Sequence, residues 1–312
     1  MKVERTFDLL ERYQNLFQKD TALCCKQQGQ WIHYSSNDYS DLAHRFSYGL
    51  MEMGLRKGDK IITVSNNRPE WNFADMGMAM AGMIHVPVFT SLSTEEYQYI
   101  VEHSEAVLIL VSDKKLFSVV SPAASLNGRA VPVYSFDQIE GVMHWSKITD
   151  MGQANAEKHR ESLEKLKREI LPEDIATLIY TSGTTGRAKG VMLTHRNLVS
   201  NFISAADVFR LTPDDRYLSI LPLCHVGGRL GNYQTQYSGS SIYYAESMGT
   251  IAANMAEIRP DGFDAVPRVL EKFYDVIISK GNKLEGMKKK DLLLGGFPGT
   301  EVQSARSQRR VV

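Results

Sequence analysis

The segment YTSGTTGRAKG, residues 180–190, carries Ser, Thr or Gly at every position from Thr181 to Gly186 and closes on Lys189. Glycines let consecutive backbone N–H groups turn inward into a concave anion nest, and Ser and Thr hydroxyls add donors for phosphate oxygens. Lys189 supplies a point charge at the end of the loop. Together these residues read as a cradle for polyphosphate. A flexible hairpin between two strands would account for the glycines, but not for a hydroxyl-rich run followed by a lysine. The spacing departs from the P-loop, G-x-x-x-x-G-K-[ST], because Arg187 and Ala188 stand between Gly186 and the lysine. A strand, where a P-loop would enter a helix, is expected directly after Gly190.

Such a loop needs a buried strand to launch it. Apolar runs at 60–65, 85–89, 106–112 and 131–136 read as strands, and helical patterns between them cover 38–53, 70–83 and 94–103, the last opening on Thr94 and two glutamates. After a charged helix at 155–170, a second series follows, with strands at 176–182, 190–195, 216–221 and 241–246. Its helices are expected at 196–210, 250–258 and 267–279, the last with Pro267 in its first turn. Alternating β and α segments indicate an α/β fold with doubly wound, mostly parallel sheets. His195 is expected to cap the helix that follows it. Met76, Met78, Met80 and Met83 crowd one helix, a pattern that fills irregular core gaps.

The 312 residues balance 36 Lys plus Arg against 36 Asp plus Glu, which leaves no global basic field to hold nucleic acid. No nucleic-acid partner is expected. Three cysteines, Cys24, Cys25 and Cys224, offer neither a disulfide framework nor metal-ligand spacing, which suits a reduced, cytoplasmic setting. Charges interrupt the N-terminal stretch, so it does not read as a signal peptide. Nowhere do about 18 apolar residues run together, so no transmembrane segment is expected, although peripheral membrane contact stays open. The last stretch, KKKDLLLGGFPGTEVQSARSQRRVV, reads as an irregular, solvated basic tail.

The run DIATLIYTSGTTGRAKGVMLTHRNL, residues 174–198, closely resembles the signature of the adenylate-forming acyl-CoA synthetase and luciferase superfamily. GLRKGDKIITVSNNRPEW (54–71) and GMIHVPVFTSLSTEEYQYIVEHSEA (82–106) look like the N-terminal part of its long-chain fatty acid–CoA ligase branch, as do LPLCHV (221–226) and AVPRVLEKFYDVI (265–277). The resemblance implies the large N-terminal domain of such an enzyme, in two doubly wound lobes: 1–154 as the first, 155–285 as linker helix and second lobe with the phosphate loop, and 286–312 as the tail. It also implies an AMP-forming ligase. A fatty acid carboxylate attacks the α-phosphorus of ATP to give acyl-AMP and pyrophosphate, and the thiol of coenzyme A then displaces AMP.

On that resemblance, the backbone and hydroxyls of Thr181, Ser182, Gly183, Thr184, Thr185 and Gly186, with Lys189, hold the β- and γ-phosphates, and Thr184 meets Mg²⁺. His225 occupies the place where the family sets a histidine near the carboxylate and α-phosphate; outside such a motif a lone histidine is usually structural. Gly227 and Gly228 replace residues that are aromatic and commonly acidic in that branch. Two glycines there would loosen the loop carrying His225 and remove a side chain that could wall the acyl tunnel. A Tyr-Gly-x-Thr-Glu motif, a ribose-binding aspartate, a downstream arginine and a small mobile C-terminal domain are also implied by the family, and none is found in the 312 residues. The chain is therefore expected to be a truncated form, inactive alone, or a weak nucleotide-binding or interaction module. Oligomeric state cannot be read from the sequence.

Overall fold

The computed structural model describes residues 2–181 and 187–282. The described residues up to Asp264 pack as one unit, and the helix Pro267–Asn282 belongs to a second. Within the first unit, two twisted sheets carry the chain. The larger runs in the order 189–194, 175–181, 84–88, 60–64, 106–111, 133–135, 143–144, and every neighbouring pair is parallel except the edge hairpin Ile175–Thr181/Lys189–Thr194. The smaller runs 262–263, 216–219, 241–244, 23–27, 30–34, parallel except for the hairpin Leu23–Gln27/Gln30–Tyr34.

Strand pleating sorts the large sheet's side chains onto two cores. Ile62, Val64, Val86, Val88, Ile109 and Val111 pack under the helices Thr94–Ser104 and Lys114–Val120. Ile61, Leu108 and Leu110 face the other way, into a larger core shared with the helices Ser36–Glu52 and Pro69–Met80 and with Tyr217, Ile242 and Tyr244 of the small sheet. Met76, Met78, Met80 and Met83 are all buried in that shared layer. Every residue of Pro69–Met80 is buried, because the helix is sandwiched between sheets rather than laid on a surface.

The two series of β/α units read along the sequence do not map one to one onto the two sheets. The 175–194 hairpin joins the first series: Thr177 pairs with His85 and its hydroxyl donates to the His85 carbonyl at 2.6 Å, closing the free edge of Ile84–Val88. The small sheet recruits in return a hairpin from the N-terminus that the apolar pattern did not reveal. Its signal is the two-residue turn Gln28-Gly29, both with positive φ (50° and 80°), the geometry that a tight hairpin demands. Helix Thr94–Ser104 starts at the expected residue, and His195–Phe209 one residue earlier than expected. Ser93, not Thr94, caps its helix through a reciprocal box with Glu96, and Thr194, not His195, caps His195–Phe209 with Asn197. In both cases the side chain that reaches the third backbone N–H decides the boundary.

Candidate active site

Thr181 and Lys189 face one another across the final rung of the edge hairpin, both exposed. Of the expected phosphate ligands, these two are placed by the structure, while Ser182, Gly183, Thr184, Thr185 and Gly186 lie outside the described residues. The strand predicted after the loop is present as Lys189–Thr194, so the lysine sits on a strand and not at the start of a helix. Helix Thr94–Ser104 meets both stems of the hairpin. The Tyr180 hydroxyl and His103 Nδ1 are 2.7 Å apart, and the Tyr99 hydroxyl donates to the Ala188 carbonyl at 3.0 Å. The Arg187 guanidinium lies over the Tyr99 ring, 5.4 Å from its centroid. A pocket of about 570 Å³ opens here, lined by Phe89, Leu92, Tyr99, Tyr180, Thr181 and Arg187 among others.

In parallel sheets, ligands collect outside the carboxyl ends of the strands. Here the carboxyl ends of both sheets converge. Asn67, just beyond strand Lys60–Val64, donates its side-chain N–H₂ to Ser219 Oγ at 3.0 Å and to the Leu221 carbonyl at 2.7 Å, and accepts from the Leu223 amide at 3.0 Å. Ser219 ends strand Arg216–Ser219, and the turn that Asn67 holds leads straight to His225. Phe89, which follows strand Ile84–Val88, presents its ring edge-on to His225 with centroids 6.3 Å apart.

His225 is the N-cap of helix Val226–Tyr237, with its Nδ1 accepting the Gly227 amide at 3.1 Å. A ring nitrogen that accepts has no proton, so the neutral imidazole carries its proton on Nε2. The exposed side chain thus offers an N–H donor. The two glycines do not loosen this segment. Gly227 supplies the capped amide, and a Cβ at Gly228 would lie 2.5 Å from the Pro222 carbonyl oxygen and 2.7 Å from that of Leu221. Absence of a side chain at 228 lets the helix start press against the turn before it, which orients His225.

Below the helix lies a fully buried polar network. Arg229 donates to Asp75 at 2.5 Å, to Thr177 Oγ1 at 2.7 Å and to the Tyr233 hydroxyl at 2.8 Å, and His85 Nδ1 stands 2.6 Å from Asp75. Burial alone would raise the Asp75 pKa, but the Arg229 charge and the bonds from His85 and Tyr233 outweigh it and hold the carboxyl below the ordinary aspartate value. Burial depresses His85 in turn, against the pull of Asp75. A second cluster joins Asn72, Asn232 and Tyr244 through bonds of 2.7–2.9 Å. Arg229 stands four residues after His225 and Thr177 four before Thr181, so one buried guanidinium connects the helix bearing the histidine to the strand bearing the loop. Sequence reading missed this helix, because VGGRLGNYQTQY lacks apolar periodicity and carries three glycines, which are poor helix formers. The available signal was Asp75, a lone carboxylate within the apolar run of a buried helix, which requires a cation nearby.

All three cysteines are free and buried, and burial pushes each thiol up to about 12. Among the described residues no group of three or more His, Cys, Asp or Glu could hold a metal ion, and none of the helices is long and apolar enough to cross a membrane.

The sequence matches the family "AMP-binding enzyme" over residues 10–306. It is 28% identical over 295 residues to the long-chain-fatty-acid–CoA ligase ACSBG2 of Xenopus laevis, covering 90% of this chain and 40% of that protein. With the peroxisomal long chain acyl-CoA synthetase 7 of Arabidopsis thaliana it shares 32% identity over 280 residues, 86% of this chain and 39% of that one. The chain therefore spans about two-fifths of the length of these relatives. Among solved structures, a long-chain-fatty-acid-CoA ligase (FadD1) from Archaeoglobus fulgidus superposes with a TM-score of 0.74 at 20% identity, over 89% of this chain and 54% of that one. The family match over residues 10–306 takes in the segments that form both sheets, the edge hairpin and the turn leading to His225, and the chain belongs to the AMP-binding enzyme family.

Proposed function

We propose that the chain forms the phosphate-holding part of an ATP-dependent, AMP-forming long-chain fatty acid–CoA ligase. The observation that supports this best is the meeting of Thr181 and Lys189 on the last rung of the hairpin, at the carboxyl-end face that also carries His225. The reaction makes a carboxylate, whose own leaving group is poor, into an acyl donor. Its oxygen attacks the α-phosphorus and pyrophosphate leaves; the coenzyme A thiol then attacks the acyl carbonyl and AMP leaves. Protein catalysis of such a transfer is mainly positioning and charge stabilisation.

In this reading Lys189 and Thr181 hold the β- and γ-phosphates together with the hydroxyls and amides of 182–186. The Nε2–H of His225 donates to an oxygen of the carboxylate or the α-phosphate. Mg²⁺, expected at Thr184, would neutralise charge on the phosphates; that residue lies outside the described ones.

A second reading, polyphosphate binding without ligase turnover, rests on the same Thr181–Lys189 rung, whose hydroxyl and ammonium are by themselves groups for holding phosphate. Calorimetric titration of the purified chain should show ATP and tripolyphosphate binding more tightly than AMP, with Lys189→Ala weakening both polyphosphates by about tenfold, the loss of one charge-assisted contact. Equal affinity for AMP and ATP would refute the phosphate-loop assignment. Palmitate-dependent exchange of pyrophosphate into ATP by the same chain would refute the second reading, since exchange requires a complete adenylating site.

A further inference from the structure

The geometry points to Tyr99 and His103 as positioning residues that set the gap between the two ends of the phosphate loop. This rests on the proposed polyphosphate reading of that loop. The two side chains stand four residues apart on helix Thr94–Ser104, hence on one face and a turn apart, with ring centroids 5.3 Å from each other. His103 takes the entering stem at the Tyr180 hydroxyl, one residue before Thr181. Tyr99 takes the leaving stem at the Ala188 carbonyl, one residue before Lys189. Thr181 and Lys189 are themselves ladder partners. The final rung is therefore braced from the same helix on both of its strands.

An edge hairpin has reason to need this. Lys189–Thr194 is the last strand of the large sheet and pairs only with Ile175–Thr181, so nothing in the sheet restrains its outer side. Its residues Lys189, Val191 and Met192 are exposed. Without the two contacts to helix Thr94–Ser104, fraying of the final rung would alter the separation of the Thr181 hydroxyl and the Lys189 ammonium, the two groups proposed to span adjacent phosphates. The Tyr99 ring has a second task in this arrangement. By drawing the Arg187 guanidinium onto its face, it fixes the direction in which the chain returns from the loop. The side chain at 187 is thereby assigned to bracing and Lys189 to phosphate.

The test uses the whole chain and two readouts. Tyr99→Phe removes the bond to Ala188 while leaving the ring beneath Arg187; His103→Leu removes the bond to Tyr180, and His103→Gln offers Tyr180 a replacement partner. Tripolyphosphate affinity should fall about 3- to 10-fold in Tyr99→Phe and His103→Leu, the range for one lost neutral hydrogen bond, with recovery in His103→Gln and a thermal midpoint lowered by no more than about 2–4 °C. Trypsin should cleave after Arg187 or Lys189 faster in the two weakened variants than in the parent, without ligand present. Unchanged cleavage rates in both would overturn the bracing role. So would an affinity loss that tracks the unfolded fraction or that His103→Gln fails to recover. Should the parent chain bind no tripolyphosphate, the phosphate-loop reading falls, and the cleavage rates still decide the brace.

Discussion

Asn67 and Leu221 are joined by a 2.7 Å hydrogen bond from side-chain amide to backbone carbonyl, and through it the carboxyl end of one sheet holds the turn that ends the other. The same carboxamide accepts from Leu223, so a single residue satisfies both directions of backbone polarity in the turn. Alanine at 67 leaves the Leu221 carbonyl and the Leu223 amide without this partner, and about 1–2 kcal/mol of stability should be lost. Aspartate should do worse, since a carboxylate cannot donate to Leu221 and would face its carbonyl oxygen. Urea unfolding of the two variants checks the order; an unchanged slope with a lower midpoint is expected. Aspartate matching the parent would show that the turn holds itself.

The Asp75–Arg229 pair makes a stronger claim, because both side chains are about 2% exposed. Removing one member leaves a buried charge without its counter-ion, held only by hydrogen bonds. Arg229→Met should destabilise by about 3–5 kcal/mol, and Asp75→Asn by a similar amount. Combining Asp75→Asn with Arg229→Met should cost much less than the sum of the single changes, because the uncompensated charge disappears. A double-mutant cycle in urea reads this directly, and strict additivity would contradict the coupling.

How far the sequence discloses this architecture depends on what each element is made of. Lys60–Val64, Ile84–Val88 and Ala106–Val111 are nearly pure apolar runs with clear flanking breaks, and the expected bounds differ from the observed ones by one residue. The hairpin Leu23–Tyr34 was not legible, since LCCKQ and QWIHY mix polar and apolar residues and their order comes from pairing with Ser241–Tyr244. Sheet membership of the 175–194 hairpin was hidden for a similar reason: Thr177 meets His85 across 92 residues of chain, and no local pattern encodes it. At the site, Thr181 and Lys189 could be named from residue types alone. The supports Asn67, Tyr99, His103 and Arg229 could not, because each acts through a contact distant in sequence.

His195 carries a pH dependence that the fold imposes. Burial lowers its pKa from 6.5 to about 4, while the Thr6 amide and hydroxyl lie 3.2 and 3.1 Å from Nδ1, which must stay unprotonated to accept the amide. The unfolded chain therefore binds a proton near pH 6.5 that the folded chain refuses until about 4. Stability is fully present above 6.5 and is lost as pH falls through that window, by roughly 3–4 kcal/mol for a shift of this size. His195→Asn keeps an acceptor near Nδ1 and has nothing to titrate, so its stability should be flatter than the parent's between pH 6.5 and 4. Parallel curves for parent and variant would exclude His195 as the source.

Asp264 should show the opposite sign. It follows strand Gly262–Phe263, its Oδ1 is buried without a hydrogen-bond partner, and burial pushes its pKa from 3.8 up to about 6. A raised carboxyl binds its proton more tightly in the folded chain than in the unfolded one. Its contribution is therefore most favourable below pH 3.8 and declines as pH rises through 6, beyond which the folded chain holds an ionised, incompletely paired carboxylate. Asp264→Asn removes that charge at nearly constant volume. At pH 8 the variant should be more stable than the parent by about 1–3 kcal/mol, and at pH 4 the gain should vanish. Thermal melts at the two pH values separate this from a change in packing, which would move both midpoints equally. A variant less stable than the parent at pH 8 would mean that the ionised carboxylate holds the neighbouring Ile220–Leu221 backbone firmly enough to outweigh the cost of burying it.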